Sequence, residues 1–256
     1  MRPYYVIDFN AVKCLIDIRV NDVSVLCMNV DGQISTLIPV NHAILELGKQ
    51  QISYSILPLH GDSTLNASVR FSLSVWLYEE NGDLIEKKEE IHQFVLPDNI
   101  TGIPIHVYKG EGFFYANVPY KLNAWQNSRN LSEVENLKVL VNSIYGKIKD
   151  IINNAHFDQL VNLLQKREDN LAICMYFSEK EKRDRINELI EIINTGYQIV
   201  PVKDEDNLVM YGYDKLVVLR KPNGSSSLLL QNKEGDDLNL DFQFHLEQGE
   251  NELTII

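Results

Sequence analysis

One short segment, His60-Gly61-Asp62-Ser63, contains the three residue types of a nucleophilic hydrolase. Nucleophilic catalysis requires a base that reaches the nucleophile and a third group that orients the base, and these groups usually come from separate chain segments. Adjacent residues in a polar stretch are instead typical of a loop. The GxSxG motif that exposes a serine between a strand and a helix is absent from the sequence. The sequence therefore predicts a protein that is not an enzyme. For an enzyme of unfamiliar type, His60 and Asp62 would be the first candidates.

The histidines and cysteines do not have the spacing of metal ligands. Neither HxH, HExxH nor CxxC occurs, so the sequence predicts no metal site and no cofactor. Cys14 and Cys27 flank a predicted hairpin, in which they would be diagonal neighbours about 7–8 Å apart. This separation is longer than a disulfide tolerates. We therefore expect Cys14, Cys27 and Cys174 to be buried free thiols, as in a reducing compartment.

Carboxylates cluster at two places, which are Glu79-Glu80 with Asp83, and the run 204–206. Neither cluster has the one-three-five spacing and the distal glutamate of an EF-hand loop. One interpretation is a solvated turn at each place, and the other is an acidic surface that steers a basic partner. The residues of the second cluster are Asp204, Glu205 and Asp206.

The overall charge restricts the class of partner. The chain has 24 basic and 36 acidic residues, which give a formal net charge of −12. Such a field repels phosphate backbones and anionic lipid surfaces, so it disfavours binding to nucleic acid or to a membrane. Arg2 and Pro3 follow Met1 without an unbroken apolar run, so we expect no signal peptide and a cytoplasmic location.

Residues 1–122 have the patterns of an antiparallel β-sandwich. Asn21-Asp22 is a two-residue hairpin turn between alternating segments. In this register Val20 faces Val23, Ile18 faces Val25 and Ile16 faces Cys27. Further strands are predicted at 51–56 and 69–77, and a hairpin turn at Asn81-Gly82 is followed by a charged return strand, as suits a solvated edge.

Two segments of this half carry a resemblance to a known fold. Residues 20–23 and 48–56 resemble the jelly-roll modules of the galactose-binding-like type, which often have a "V-N-G" hairpin and a later "G-x-N-x-I-x-V" strand entry. Asp22 stands where that pattern prefers glycine, and Gln50 where it prefers asparagine. The resemblance covers some 40 residues and implies a fold, but no sugar site.

The second half has a helical region followed by a β region. Residues 123–131 are predicted as a linker, and residues 132–256 as a domain of three helices and an antiparallel meander, with the helices over one face of the sheet. Ser132 with Glu135, and Ser178 with Glu181, have the spacing of capping boxes at helix starts. Gly196 is a natural helix end. The fold class is therefore α+β. Candidate strands lie at 197–202, 208–211, 216–219, 228–231, 238–246 and 253–256.

Three aromatic residues are candidates for partner contact. Trp76 and Tyr78 point away from the main apolar face of their predicted strand, and the hairpin turn would place them opposite Lys87 and Ile85. Either the helical unit covers them, or they form an exposed anchor of the kind found at interface hot spots. Trp125, in the predicted linker, presents the same alternatives.

These features favour a non-catalytic protein that binds another protein. Small acidic proteins without catalytic motifs are similar in character to the immunity proteins of bacterial toxin systems, a likeness of composition and size. In that interpretation carboxylates around Glu79–Glu90, or on the turns at 204–206 and 234–237, steer the protein onto a basic partner. Trp76, Tyr78 or Trp125 supplies the desolvated contact. The alternative is a carbohydrate- or small-ligand-binding β-sandwich. The sequence gives no indication of the oligomeric state.

Overall fold

A computed structural model of the chain describes residues 2–81, 84–97 and 104–256, and these divide into two compact units, 1–122 and 123–256. The fold is mixed α+β, as the sequence predicts: an antiparallel sheet, then three helices, then further antiparallel strands. The described residues of the first unit form six strands: β1 (Arg2–Val20), β2 (Val23–Pro39), β3 (Gly48–Leu57), β4 (Arg70–Asn81), β5 (Leu84–Val95) and β6 (Tyr108–Ala116).

All six strands of the first unit belong to one sheet that curves into a half-barrel. The first half of β1 pairs with β4, and its second half pairs with β3. β5 and β6 extend the sheet beyond β4 and β3, and β2 pairs with β1 along nearly its whole length. Rings from both halves meet inside the curve, where Tyr54 of β3 lies 5.9 Å from Phe71 of β4 and 4.3 Å from Phe94 of β5, between ring centroids.

A single residue, Lys13, allows β1 to serve both halves of the sheet. Lys13 has φ 52°, and at this point one residue of β1 faces two residues of β2. Side chains alternate along a regular strand, and the left-handed backbone of Lys13 breaks that alternation in β1, so the side chains after it lie on the other face. The most deeply buried side chains, each 2% exposed or less, are odd-numbered before Lys13 and even-numbered after it: Tyr5, Ile7, Phe9 and Ala11, then Cys14, Ile16, Ile18 and Val20.

The hairpin between β1 and β2 confirms the predicted turn but not all of the predicted register. Asn21 and Asp22 both have positive φ, as a tight hairpin turn requires, and Val20 faces Val23. A second bulge follows, because Arg19 faces Ser24 while Ile18 faces Leu26. The predicted pairs of Ile18 with Val25 and Ile16 with Cys27 are therefore wrong, since pattern alone does not reveal a bulge.

The same bulge separates the two cysteines of the hairpin. Cys27 lies opposite Asp17, which puts it on the other sheet face from Cys14. None of the three cysteines is in a disulfide: Cys14 and Cys174 are buried, and Cys27 is half-buried. Burial raises the pKa of Cys14 to about 11 and that of Cys174 to about 12, so both thiols stay protonated and unreactive.

The pairing of β4 with β5 also differs from the predicted hairpin. Asn81 faces Leu84, Tyr78 faces Lys87 and Trp76 faces Glu90, with two irregularities in the register. The expected partners, Lys87 for Trp76 and Ile85 for Tyr78, are thus incorrect. The predicted turn residue Gly82 lies outside the described residues.

Two glycines allow β6 to lie close to its neighbours. A Cβ atom on Gly110 would lie 2.2 Å from Tyr54 Cε2, and one on Gly112 would lie 2.2 Å from His92 Cε1. The Gly110-Glu111-Gly112 segment is therefore part of a strand in which glycine makes room for rings packed across the backbone.

The second unit contains three helices followed by short strands. Its elements are α1 (Leu137–Asn153), α2 (Phe157–Cys174), α3 (Glu179–Asn194), β7 (Gln198–Ile199), β8 (Asn207–Tyr211), β9 (Leu216–Arg220), β10 (Leu229–Gln231), β11 (Asp237–Asn239), β12 (Phe244–His245) and β13 (Thr254–Ile255). The strands form two small antiparallel sheets, in the orders β11-β10-β7 and β13-β12-β9-β8, in place of one meander. The predicted strand 238–246 is divided between them.

The helix ends follow the predictions in part. Ser178 and Glu181 form a capping box at α3, and Gly196 has φ 106° just after this helix ends. The capping box predicted for Ser132 is wrong, because Asn130 accepts hydrogen bonds from the Ser132 backbone and hydroxyl. That residue belongs to a short 3-10 turn, and α1 begins later, after Asn136.

The helices and both small sheets of the second unit share one apolar core. It includes Val141, Ile144 and Ile148 of α1, and Val217 and Leu219 of β9. Residues 123–131 also bury side chains, among them Ala124, Trp125 and Leu131. Residues 123–131 therefore do not have the exposed character expected of a linker.

The conformation of Lys13 can be tested with a pair of substitutions. A β-branched residue is strained at positive φ and glycine is not, so we expect Lys13→Val to lower the free energy of unfolding by about 1–2 kcal/mol relative to Lys13→Gly. Both variants lose the exposed ion pair to Asp31, whose Oδ1 lies 2.6 Å from Lys13 Nζ, so that loss cancels. Urea denaturation measures the difference in the free energy of unfolding, and equal stability of the two variants would contradict the positive φ of Lys13.

Gly110 provides a second test of the fold. We expect Gly110→Ala to destabilise the chain by about 1–3 kcal/mol, because the new methyl group overlaps the buried Tyr54 ring. Gly146, in α1, is the matched control, since a Cβ there meets nothing within 4 Å. Replacement of a helical glycine by alanine normally adds about 0.5–1 kcal/mol of stability. Thermal unfolding of both variants should therefore shift in opposite directions.

Candidate functional site

The outer face of the half-barrel carries large apolar side chains beside carboxylates. On this face β1, β4 and β5 lie side by side, so that Tyr4 pairs with Tyr78 and Trp76 with Glu90. Antiparallel sheets usually present polar side chains to water. We call this surface the acidic–aromatic face and define it by Tyr4, Trp76, Tyr78, Glu80, Ile85 and Glu90.

The residues of the acidic–aromatic face differ in exposure. Tyr4, Trp76 and Tyr78 are half-buried, while Ile85 is 63% exposed. The Lys87 ammonium lies 3.3 Å from the centre of the Trp76 ring, a cation–π contact. Trp76 Nε1 is buried and has no hydrogen-bond partner within the described residues. Trp76 is therefore only partly covered, and the Lys87 side chain lies over its ring.

The predicted cluster of Glu79, Glu80 and Asp83 does not act as one group. Glu80 accepts from the Tyr4 hydroxyl at 3.3 Å, and its carboxylate lies 3.4 Å from Arg2 Nη1. Glu79 points to the opposite sheet face, where it pairs across the strands with Glu86. Asp83 lies outside the described residues. Strand alternation thus separates neighbours that look like one cluster in the sequence.

Trp125 is buried within the second unit, with 7% of its surface exposed. It packs beside Gly212, where an added Cβ would lie 3.0 Å from Trp125 Cδ1 and Nε1. The hypothesis that Trp125 is an exposed anchor is therefore wrong, because the segment that contains it packs against the second unit.

The acidic run 204–206 is divided between surface and interior. Asp204 and Glu205 are exposed, whereas Asp206 is 7% exposed. Asp206 Oδ2 accepts from the Lys203 backbone N–H at 3.3 Å, and Oδ1 is buried without a hydrogen-bond partner among the described residues. Asp206 is therefore not part of a solvated turn.

Asp206 lines a groove between α1 and the segment after β7. Its volume is about 300 Å³, which is at the lower end of the range for small-ligand sites. Its lining includes three buried residues, Tyr145, Leu219 and Leu228. Exposed lysines lie at its mouth: Lys138, Lys149 and Lys203. The Tyr145 hydroxyl accepts from the Leu219 N–H at 2.9 Å, and burial raises the pKa of Tyr145 to about 12.

The His60 segment is a surface loop without the geometry of a triad. The His60 backbone N–H donates to Asn29 Oδ1 at 2.9 Å, and His106 Nδ1 lies 2.7 Å from the Ser63 carbonyl oxygen. Within the described ranges, no hydrogen bond joins the side chains of His60, Asp62 and Ser63. This loop therefore provides no activated nucleophile.

A different serine and histidine meet in the interior of the second unit, and sequence reasoning missed them. Ser128 Oγ lies 2.6 Å from His245 Nδ1, and Lys166 Nζ lies 3.5 Å from His245 Nε2. Lys166 also donates to Glu247 Oε1 at 2.6 Å. These residues come from separate segments, so no local motif indicates them.

The orientation of protons in this network argues against catalysis. A lysine ammonium can only donate, so we assign the neutral His245 tautomer with Nε2 as acceptor and the proton on Nδ1. Nδ1–H then donates to Ser128 Oγ, whereas a general base would have to accept the serine proton. Ser128 is 5% exposed and His245 is fully buried. The network therefore joins the segment 123–131 to β12 and α2.

A separate buried ion cluster joins α2 to α3. Glu168, with a side-chain exposure of 5%, pairs with Arg167 and with Arg185, whose Nε lies 3.2 Å from Glu168 Oε2. Burial lowers the pKa of Arg167 from its usual range. Both carboxylate oxygens of Glu168 are therefore held in ion pairs, and neither is open to a ligand.

The described part of the chain contains no group of three or more His, Cys, Asp or Glu residues that could hold a metal ion. In the same part, none of the helices has the length and apolar character needed to cross a bilayer. Neither finding identifies a function by itself.

Comparison with known proteins does not assign the chain to a family: no family model, no curated protein and no solved structure matches it. The function must therefore be argued from the surfaces of the two units.

The buried His245 predicts a pH dependence of stability. Burial, and secondly the nearby Lys166 charge, lower its pKa from 6.5 to about 4. Below pH 6.5 the unfolded chain takes up a proton that the folded chain resists, so stability is lost as the pH falls from 6.5 towards 4. The loss from this residue is about 3 kcal/mol over the whole window.

Urea unfolding between pH 7.5 and pH 4.5 tests this expectation in the wild-type chain and in His245→Gln. The substitution lowers stability at neutral pH but removes the part of the pH dependence that belongs to the imidazole. Carboxylate titration is common to both chains and cancels in the comparison. Parallel curves would show that His245 is not the titrating group.

Proposed function

We propose that the protein is a non-catalytic, acidic binding protein that neutralises a basic partner protein, in the manner of an immunity or inhibitor protein. The acidic–aromatic face would hold the partner. A bacterial cytoplasm is the location in which we expect such a protein to act.

The observation that carries this proposal is the composition of the face. Three half-buried aromatic residues, Tyr4, Trp76 and Tyr78, share one solvated sheet surface with exposed Ile85. Contiguous apolar side chains on a surface, especially with a polar rim, are typical of protein interaction sites. Aromatic residues are also enriched among those that dominate binding energy.

The charges around these rings indicate the sign of the partner. Glu80 and Glu90 lie on the face itself, whereas Glu86 and Glu89 of the same strand lie opposite Glu79 and Leu77 on the other sheet face. Complementary charge accelerates association and fixes orientation, so a basic surface fits best. Lys87 covers the Trp76 ring in the free chain. A cationic group of the partner could take the same position over the ring.

The partner can be isolated by affinity capture from the cytoplasm of the native host and then purified for binding measurements. We expect a basic protein whose own activity is lost at an equimolar amount of the chain. Trp76→Ala should weaken binding by roughly 30-fold or more, as at an interface hot spot. Ile85→Lys, at a highly exposed position, tests the face without disturbing the core.

Charge variants provide the matched control. Glu80→Gln with Glu90→Gln should slow association and flatten its salt dependence, whereas Glu188→Gln with Glu191→Gln removes two exposed carboxylates from α3 and should change neither. Circular dichroism melting curves confirm that each variant folds. A partner that binds the Ile85→Lys variant and the wild-type chain equally well would rule out this face.

A further inference from the structure

The groove of the second unit has a composition that the proposed function does not use. Lys138 and Lys149, both in α1, have no ion-pair partner within the described residues. Lys203 lies 3.6 Å from Glu205 across a fully exposed pair, which contributes little. In a chain with a net charge of −12, the two lysines of α1 that lack an ion pair make the α1 side of the groove mouth locally positive, while Asp204 and Glu205 offset Lys203 on the other side.

The interior of the groove is apolar with one exception. Tyr145, Ile199, Leu219 and Leu228 supply buried apolar surface. Asp206 adds a carboxylate oxygen, Oδ1, that is buried and lacks a hydrogen-bond partner in the described part of the chain. A buried acceptor without a donor is costly, because it has lost its hydration and gained nothing in return. A ligand with an N–H or O–H group would remove that cost.

We propose that this groove is a binding site for a small organic anion that has an apolar, preferably aromatic, body and one hydrogen-bond donor. The anionic group would lie at the mouth between Lys138 and Lys149, and the apolar body would rest on the exposed side chains of Pro201 and Val202, above the buried Tyr145. The donor would face Asp206. This site is independent of the acidic–aromatic face, which belongs to the other unit.

The charges that face the groove come from two elements. Lys138 and Lys149 lie about three turns apart on α1, and Lys203, Asp204 and Asp206 lie on the segment after β7. Water screens Asp204 and the three lysines alike because all four are exposed, whereas Asp206 is buried below the mouth. The lysines without an ion pair lie on the α1 side of the mouth and the carboxylates lie on the side of residues 203–206, and this separation sets the orientation of the ligand.

The probe for this site is 1-anilinonaphthalene-8-sulfonate, which has a sulfonate, an aromatic body and one N–H group. Its fluorescence with the full chain should show one saturable site. N-phenyl-1-naphthylamine, which has the same aromatic frame without the sulfonate, should bind more weakly. 4-Aminobenzenesulfonate, which has an anionic group, an aromatic ring and N–H donors, should displace the probe, and inorganic phosphate, which has no apolar body, should not.

Substitutions place the probe within the groove. Lys138→Gln and Lys149→Gln should each raise its Kd about two- to fivefold, the range expected for exposed charge pairs, and the double variant roughly tenfold. Lys147→Gln is the matched control, because Lys147 is also on α1 but pairs with Glu252 at 3.3 Å. It should leave the Kd unchanged.

Several results would overturn the proposal. They are the absence of saturable binding, an equal Kd for the charged and neutral probes, or an equal effect of Lys147→Gln and the groove variants. None of these results affects the proposed function, which is tested with variants of the first unit. Conversely, loss of partner binding in those variants does not bear on the groove.

Discussion

The left-handed conformation of Lys13 determines how the first unit closes. β1 pairs with β4 through its first half and with β3 through its second half, and the alternation of its buried side chains changes phase between the two halves. At Lys13 the buried positions pass from odd to even, so that Phe9 and Ala11 meet the β4 half while Cys14 and Ile16 meet the β3 half. The curved sheet, its aromatic interior and the outward position of Tyr4 and Trp76 all depend on this one residue of offset.

Buried polar atoms that lack partners occur both inside the packing and at the two proposed surfaces. Ser227 Oγ and Thr254 Oγ1 are of the first kind, and Trp76 Nε1 and Asp206 Oδ1 are of the second. In contrast, Ser128 and His245 satisfy each other, and Glu168 is held by two arginines. Networks that are complete stabilise a unit, whereas an unpartnered buried atom is costly, and it indicates a binding site only where its residue also lines a surface or groove, as Trp76 and Asp206 do. This distinction favours the acidic–aromatic face and the groove, rather than the Ser128–His245 pair, as candidate binding sites.

The sequence predicted those features that depend on local chemistry. The Asn21-Asp22 turn, the Ser178 capping box and the stop at Gly196 each follow from neighbouring residues, and all are confirmed. The bulges, and with them the partners of Trp76 and Tyr78, depend on how strands pack, so alternation alone misplaces them. Burial of Trp125 and Asp206 also required the tertiary structure, because a polar context in the sequence does not show whether a segment packs against a core.

Net charge is a property of the whole chain, but a partner or ligand responds to the field within about 10 Å, the distance over which salt screens charge. The excess of carboxylates indicated a basic partner, and the acidic–aromatic face agrees with that sign. The same excess disfavoured anions, yet Lys138 and Lys149 create a local site of opposite sign on one helix. Because the two surfaces belong to separate units and differ in charge, the salt dependences of the proposed protein binding and the proposed anion binding would report on separate sites.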